Sequence, residues 1–193
     1  MEMILVIVGL PGSGKSTAVQ LLKENGFEVI ELGDIWRELL RKHNIPRSDP
    51  KKTREFTKQI RERYGKDIYA RYAYRKVRNS TKRLVIMGVR STYEMDYLRK
   101  HIKGIKVIAI TSPFSLRFRR IRSRAKPEDP RNIKDFRWLE NREKRGFLTE
   151  KSEEKHGVMV LINDADYVIA NTSSVGRLEQ DMESLIKKIQ ASR

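Results

Sequence analysis

Hydrophobic positions along the chain fall into two textures. Five short runs are dominated by apolar, often β-branched residues: Ile4-Leu5-Val6-Ile7-Val8, Phe27-Glu28-Val29-Ile30, Leu84-Val85-Ile86-Met87, Lys106 to Ile110, and Tyr167-Val168-Ile169-Ala170. Such runs predict strands covered on both faces, as in a parallel sheet. Between them apolar residues recur at helical spacing. This predicts helices over Thr17 to Asn25, Ile35 to Lys42 with Asp34 as N-cap, Thr92 to His101, Pro113 to Arg124, Ile133 to Arg145 and Arg177 to Gln190. Asp49-Pro50 opens a further helix by the cap-then-proline rule, Phe56, Ile60 and Tyr64 line one face of it, and Gly65 interrupts the pattern before it resumes through Val77. Pro127-Glu128-Asp129-Pro130 predicts a turn. Strands alternating with helices predict an α/β fold: an open five-stranded parallel sheet flanked by helices, with right-handed crossovers. Ligands of such sheets bind beyond the carboxyl ends of the strands.

The loop after the first strand carries the chemistry. Gly9-Leu10-Pro11-Gly12-Ser13-Gly14-Lys15-Ser16, followed by Thr17, satisfies G-x-x-x-x-G-K-[ST] at every position. Gly12 and Gly14 let the backbone wrap a phosphate with no Cβ in the way, and the N-terminus of the next helix adds donors and a positive dipole end. Lys15 is placed to reach β- and γ-phosphates, and the Ser16 hydroxyl to ligate Mg²⁺. An apolar strand before the loop and an amphipathic helix after it supply the context. The dinucleotide-binding pattern G-x-G-x-x-G is excluded, because position 17 is Thr17.

Composition sharpens this picture. The 193 residues hold 42 Lys plus Arg against 25 Asp plus Glu, a formal net charge of +17. That length fits one compact domain. The absence of cysteine excludes disulfides, thiol nucleophiles and thiolate metal sites. No apolar run nears the ~18 residues of a membrane span, and no signal-peptide pattern opens the chain, so a cytoplasmic protein is expected. The charged fraction, 35%, is above the usual ~25%, a composition found among thermophiles. The positive excess is concentrated. Thirteen basic residues between Lys51 and Arg83 face three acids, and six between Pro113 and Lys126 face none. Both clusters imply an anionic partner. Tyr69, Tyr72 and Tyr74 lie among the arginines of the first cluster, a pattern compatible with base stacking or with core packing. His43, His101 and His156 show no ligand spacing.

These residues together resemble the nucleoside-monophosphate-kinase branch of P-loop proteins, in particular an archaeal family related to adenylate kinase and, more distantly, to dephospho-CoA kinase. Leu32-Gly33-Asp34-Ile35-Trp36-Arg37 is similar to a G-D-x-x-R element whose Arg meets the acceptor phosphate and whose Asp lies near the reacting groups. Gly88-Val89-Arg90-Ser91 is similar to a segment whose Arg also grips that phosphate. Arg120 and Arg124 match an arginine pair leading into a lid, Arg142 a further lid arginine. Asn171, after the last strand, matches a loop that borders the adenine. The resemblance implies ATP and Mg²⁺ as cofactors, a helical acceptor-binding insertion over residues 33–83, a lid over 113–131, and phosphoryl transfer to a nucleoside monophosphate or a dephospho-CoA-like hydroxyl. It also implies one departure. Relatives carry an Asp before the third-strand glycine, where this chain has Met87, a poor partner for hard Mg²⁺. Two other function classes compete: a nucleic-acid-binding ATPase or polynucleotide end kinase, and a nucleotide-binding regulator with little turnover.

Overall fold

The computed structural model describes residues 3–80, 83–126, 129–145 and 157–192. Five strands form one parallel sheet: β1 (Ile4–Val8), β2 (Glu28–Glu31), β3 (Leu84–Met87), β4 (Lys106–Thr111) and β5 (Tyr167–Ala170). Their order is β2-β3-β1-β4-β5, with every neighbouring pair parallel. The register sets Ile7 beside Met87 and Met87 beside Glu31, so these residues share one face at the carboxyl edge. Position 30 was the expected end of β2. The strand continues to Glu31, whose half-buried side chain faces the edge where the sheet meets solvent.

Nine helices cover the sheet among the described residues: α1 (Lys15–Glu24), α2 (Leu32–Lys42), α3 (Pro50–Tyr64), α4 (Ile68–Arg78), α5 (Thr92–His101), α6 (Phe114–Arg124), α7 (Ile133–Arg145), α8 (Val158–Asn163) and α9 (Val175–Ala191). α1 and α9 pack Leu22, Leu178, Met182 and Ile189 on one face of the sheet; α2 to α5 and α8 pack Leu40, Ala70, Leu98 and Leu161 on the other. β1 is buried at all five positions because helices cover both of its faces, which is why it carries no polar residue.

Three local expectations change. α1 begins at Lys15 rather than Thr17, with Gly14 in the left-handed conformation immediately before it. α2 begins at Leu32, so Asp34 is not its N-cap; it sits in the first turn, and its carboxylate takes the Arg37 side chain instead of a backbone N–H. The third is α8, a single apolar run without a helical stripe, which the pattern of positions left unassigned. Asp49 does cap α3, accepting from the N–H groups of Lys51 and Lys52 at 3.0 Å each. Of the turn at Pro127 to Pro130, residues 127 and 128 lie outside the described residues, as do Thr81, Lys82 and His156. Tyr69 is buried in the core, whereas Tyr72 and Tyr74 are half-buried.

Candidate functional site

The loop from Gly9 to Ser16 leaves the carboxyl end of β1 and is held from outside by the chain around it. Gly9, Gly12 and Gly14 all have positive φ. A Cβ on Gly12 would meet the backbone oxygen of Arg117 at 2.5 Å, and one on Gly14 would collide with Nδ2 of Asn171. α6 and the loop after β5 thus press directly on the turn, and only glycine fits.

The bracing is polar as well as steric. Asn171 is buried; it donates from Nδ2 to the Ser13 carbonyl at 2.9 Å and from its own N–H to the Thr111 carbonyl at 2.8 Å. Arg120 donates to Asn171 Oδ1 at 3.1 Å, to the Asn171 carbonyl at 3.2 Å and to Ser112 Oγ at 3.1 Å. Arg117, only 4% exposed, donates to the Ser112 and Pro11 carbonyls and pairs with Glu140 of α7 at 2.8 Å. Burial alone would raise the Glu140 carboxyl pKa, but the hydrogen bonds from Lys144 and Arg117 outweigh it and hold it below the usual range.

Lys15 lies inside this frame. Its Nζ donates to the Leu10 carbonyl at 2.9 Å. Burial pushes its pKa down to about 8; Arg90, Arg117 and Arg124 press in the same direction, and Glu143 of α7 opposes them. Lys15 and three arginines from three elements, α1, the loop after β3 and α6, therefore lie within one another's field, a concentration of positive charge suited to an anion. Glu143, 8% exposed, pairs with Arg90 at 3.2 Å. Arg124 is held by the Asp129 carboxylate, which that guanidinium keeps well below the usual carboxylate range. Arg142 lies over the Trp138 ring; burial lowers its pKa, Glu143 opposes this, and Arg90 and Arg54 add to it, so Arg54 of α3 joins the same surroundings.

The residues at the end of β2 behave differently. Asp34 is exposed, and its described partner is Arg37, which donates from Nε at 3.1 Å and also reaches Glu31 at 3.4 Å. The Arg37 pKa is raised, first by its hydrogen bond to Asp34. The structure therefore brings Asp34 and Arg37 to each other. It brings Lys15, Arg90 and Arg124 together around the loop, with Arg120 and Asn171 behind it. Leu10 and Pro11 supply carbonyls to Lys15 and Arg117; Ser16, exposed, and Thr17 open α1.

Arg117, Glu140, Glu143 and Glu94 are the residues that sequence reasoning missed. Glu94 is 2% exposed, and its Oε2 accepts from the Arg90 backbone N–H at 2.9 Å while Oε1 faces Arg61 at 3.5 Å. Burial raises its pKa, with Arg61 and the Arg90 N–H opposing. Ser91 caps α5 by accepting from the Glu94 N–H at 3.3 Å. The Ser-x-x-Glu spacing of a capping box was visible at 91–94 and was the available signal.

Phosphates suit this geometry: the loop runs into the N-terminus of α1, and Lys15, Arg90, Arg117 and Arg124 surround it with positive charge. Among the described residues no three His, Cys, Asp or Glu side chains gather as a metal cluster. No helix among the described residues is long and apolar enough to cross a membrane.

Comparison with known proteins agrees with this architecture. Residues 5–147 match the family described as "AAA domain". A UPF0200 protein of Pyrococcus abyssi is 33% identical over 97% of both chains, and one of Methanococcus vannielii is 32% identical over 96% of both. Among solved structures, a Thermus thermophilus protein superposes with a TM-score of 0.60 at 20% identity, covering 99% of this chain and 97% of its own. A shikimate kinase from Aquifex aeolicus gives 0.53 at 12% identity, covering 99% and 100%; a dephospho-CoA kinase from Campylobacter jejuni gives 0.52 at 16%, covering 97% of both. At those identities the structures share the P-loop kinase-like fold alone. The curated relatives share sequence over nearly their whole length, and by them this chain belongs to the archaeal UPF0200 family of P-loop proteins.

Proposed function

We propose that this protein is an ATP-dependent phosphotransferase that moves the γ-phosphoryl group to a small nucleotide-like acceptor, either a nucleoside monophosphate or a hydroxyl of the dephospho-CoA kind. The observation that carries this is the glycine turn between β1 and α1, on which Lys15 and Arg117 close through the Leu10 and Pro11 carbonyls, with Arg90 and Arg124 within the field of Lys15. Phosphoryl transfer needs charge neutralisation and in-line positioning more than covalent chemistry from the protein, and the concentration of cations here supports the first of these. The kinases among the fold neighbours, named for shikimate and dephospho-CoA, support a small-molecule acceptor.

In this reading the backbone from Gly9 to Gly14 and Lys15 bind the donor phosphates, and Asn171 with Arg120 shapes the loop beside the nucleoside. Mg²⁺, when bound, supplies neutralisation across the phosphates. The Ser16 hydroxyl would hold it, and Met87 offers no oxygen to help. Arg37 and Arg90 grip the acceptor, whose helical platform is the 33–83 segment. Arg124 and Arg142, from the 113–131 region and α7, neutralise the transferring group. Asp34 accepts a proton from a hydroxyl acceptor or orients it. Exclusion of water from the site would direct the phosphoryl group to the acceptor, although α6, the greater part of the expected 113–131 lid, is braced against the P-loop through Arg117 and Arg120.

The test is transfer from γ-labelled ATP with Mg²⁺ to nucleoside monophosphates, dephospho-CoA and short RNA and DNA, with Lys15→Ala as control. Label on one small acceptor, lost in the control, supports the reading. Label on the oligonucleotides instead would favour a polynucleotide kinase, and binding without transfer a nucleotide-responsive regulator.

A further inference from the structure

Among the described residues, a carboxylate of the protein itself, that of Glu143, lies among the cations around Lys15. Glu143 projects from α7, is 8% exposed and pairs with Arg90 at 3.2 Å. α7 is anchored there independently, because Glu140, three residues earlier on the same face, pairs with Arg117, which itself donates to the Pro11 carbonyl of the P-loop at 3.3 Å. The helix thus presents two acids at i, i+3 to the phosphate loop, one bonded to a structural arginine and one to an arginine of the site. Glu140 has a second cation in Lys144, but Glu143 draws on the cations that a phosphate needs.

We infer that Glu143 is a specificity-determining residue: an internal anion that shares Arg90 with incoming phosphate and so sets how much charge a ligand must carry to take the site. A ligand with one or two charges gains little by displacing a carboxylate from Arg90. A triphosphate or pyrophosphate carries more charge and more acceptor oxygens, makes additional bonds to the loop, and exchanges with it. The Arg90 guanidinium then passes from Glu143 to a phosphate oxygen and keeps an anionic partner. Because Glu143 is carried on α7, the exchange also releases that helix end from Arg90 and couples ligand charge to the position of α7. Selection of this kind works by opposing the weaker competitor rather than by improving contacts to the preferred one. The inference rests on the proposed use of the loop as a polyphosphate cradle but not on any transfer step.

Isothermal titration of inorganic phosphate, pyrophosphate and ATP into the wild-type protein and Glu143→Gln tests it. The variant is expected to bind inorganic phosphate about tenfold more tightly, a change of about 1.4 kcal/mol, with a smaller gain for ATP, so that discrimination between them narrows. Glu55→Gln, an exposed site on α3, removes the same charge elsewhere and should change neither affinity, which separates the local effect from the overall +17 charge. Glu143→Asp keeps the charge on a shorter side chain and should fall between wild type and Glu143→Gln; it also serves if Glu143→Gln does not fold. Unchanged or weakened phosphate binding in a folded Glu143→Gln, or equal gains in the Glu55→Gln control, would overturn the inference. Failure of labelled transfer in the acceptor screen would instead overturn the kinase reading and leave this titration interpretable.

Discussion

The two ends of the sheet treat their charged residues in opposite ways. On the β1–β4–β5 side, Arg117, Glu140 and Asn171 are buried, and each holds several partners around the P-loop. On the β2 side, Asp34, Arg37 and Glu31 form a chain of ion pairs in which Asp34 stays 64% exposed. A buried network fixes geometry, since removing one partner strands the other without water. An exposed one contributes little to stability and can rearrange. The P-loop side is therefore built as a rigid frame, and the β2 side as a surface free to re-pair; in the proposed function these would be the donor and acceptor sides.

The contrast can be broken experimentally. Arg117→Ala leaves Glu140 buried beside Lys144 alone, and unfolding free energy should fall by about 3–5 kcal/mol in chemical denaturation. A loss below ~1 kcal/mol would mean the donor side is no more rigid than the other. Lys15→Ala should lower phosphoryl transfer by roughly 10²–10³-fold in the labelled assay while the protein remains folded. The lowered Lys15 pKa gives a pH signature: between about 8 and the ordinary 10.5 the folded protein has released a proton that the unfolded chain keeps. Wild-type stability should rise with pH across that window, and Lys15→Met should lose the rise, as measured by thermal unfolding. The smallest effect is expected at β2, where Arg37→Ala should cost only about 0.2–1 kcal/mol of stability, read in the same denaturation series. If Arg37 also grips the acceptor, its larger consequence will be in the acceptor KM.

Much of this was legible along the chain because it is local. The strand ends at β3 and β5 and the helix ends at α5 and α7 coincide with the expected ones, since Gly88, His101 and the alternation of textures mark them. The P-loop needs only eight consecutive residues. What escaped depends on partners far away in sequence. Arg117 reads as one more arginine in a basic helix until α7 folds Glu140 onto it. Asp34 reads as a cap until β2 runs one residue longer and Arg37 claims the carboxylate. Glu143 sits beside Arg142, the lid arginine implied by resemblance, and only the packing of α7 shows that the acid rather than its neighbour pairs with Arg90.

Glu94 gives the two sides a mechanical connection. One of its oxygens holds the Arg90 backbone, and the other faces Arg61 on α3. In the proposed function, an acceptor that tilted α3 would pull through this buried carboxylate on the bend that aims Arg90. A rigid cradle and a compliant platform are thus joined by a tie rod, and substitutions at position 94, far from any ligand atom, would act as if they had been made in the site itself.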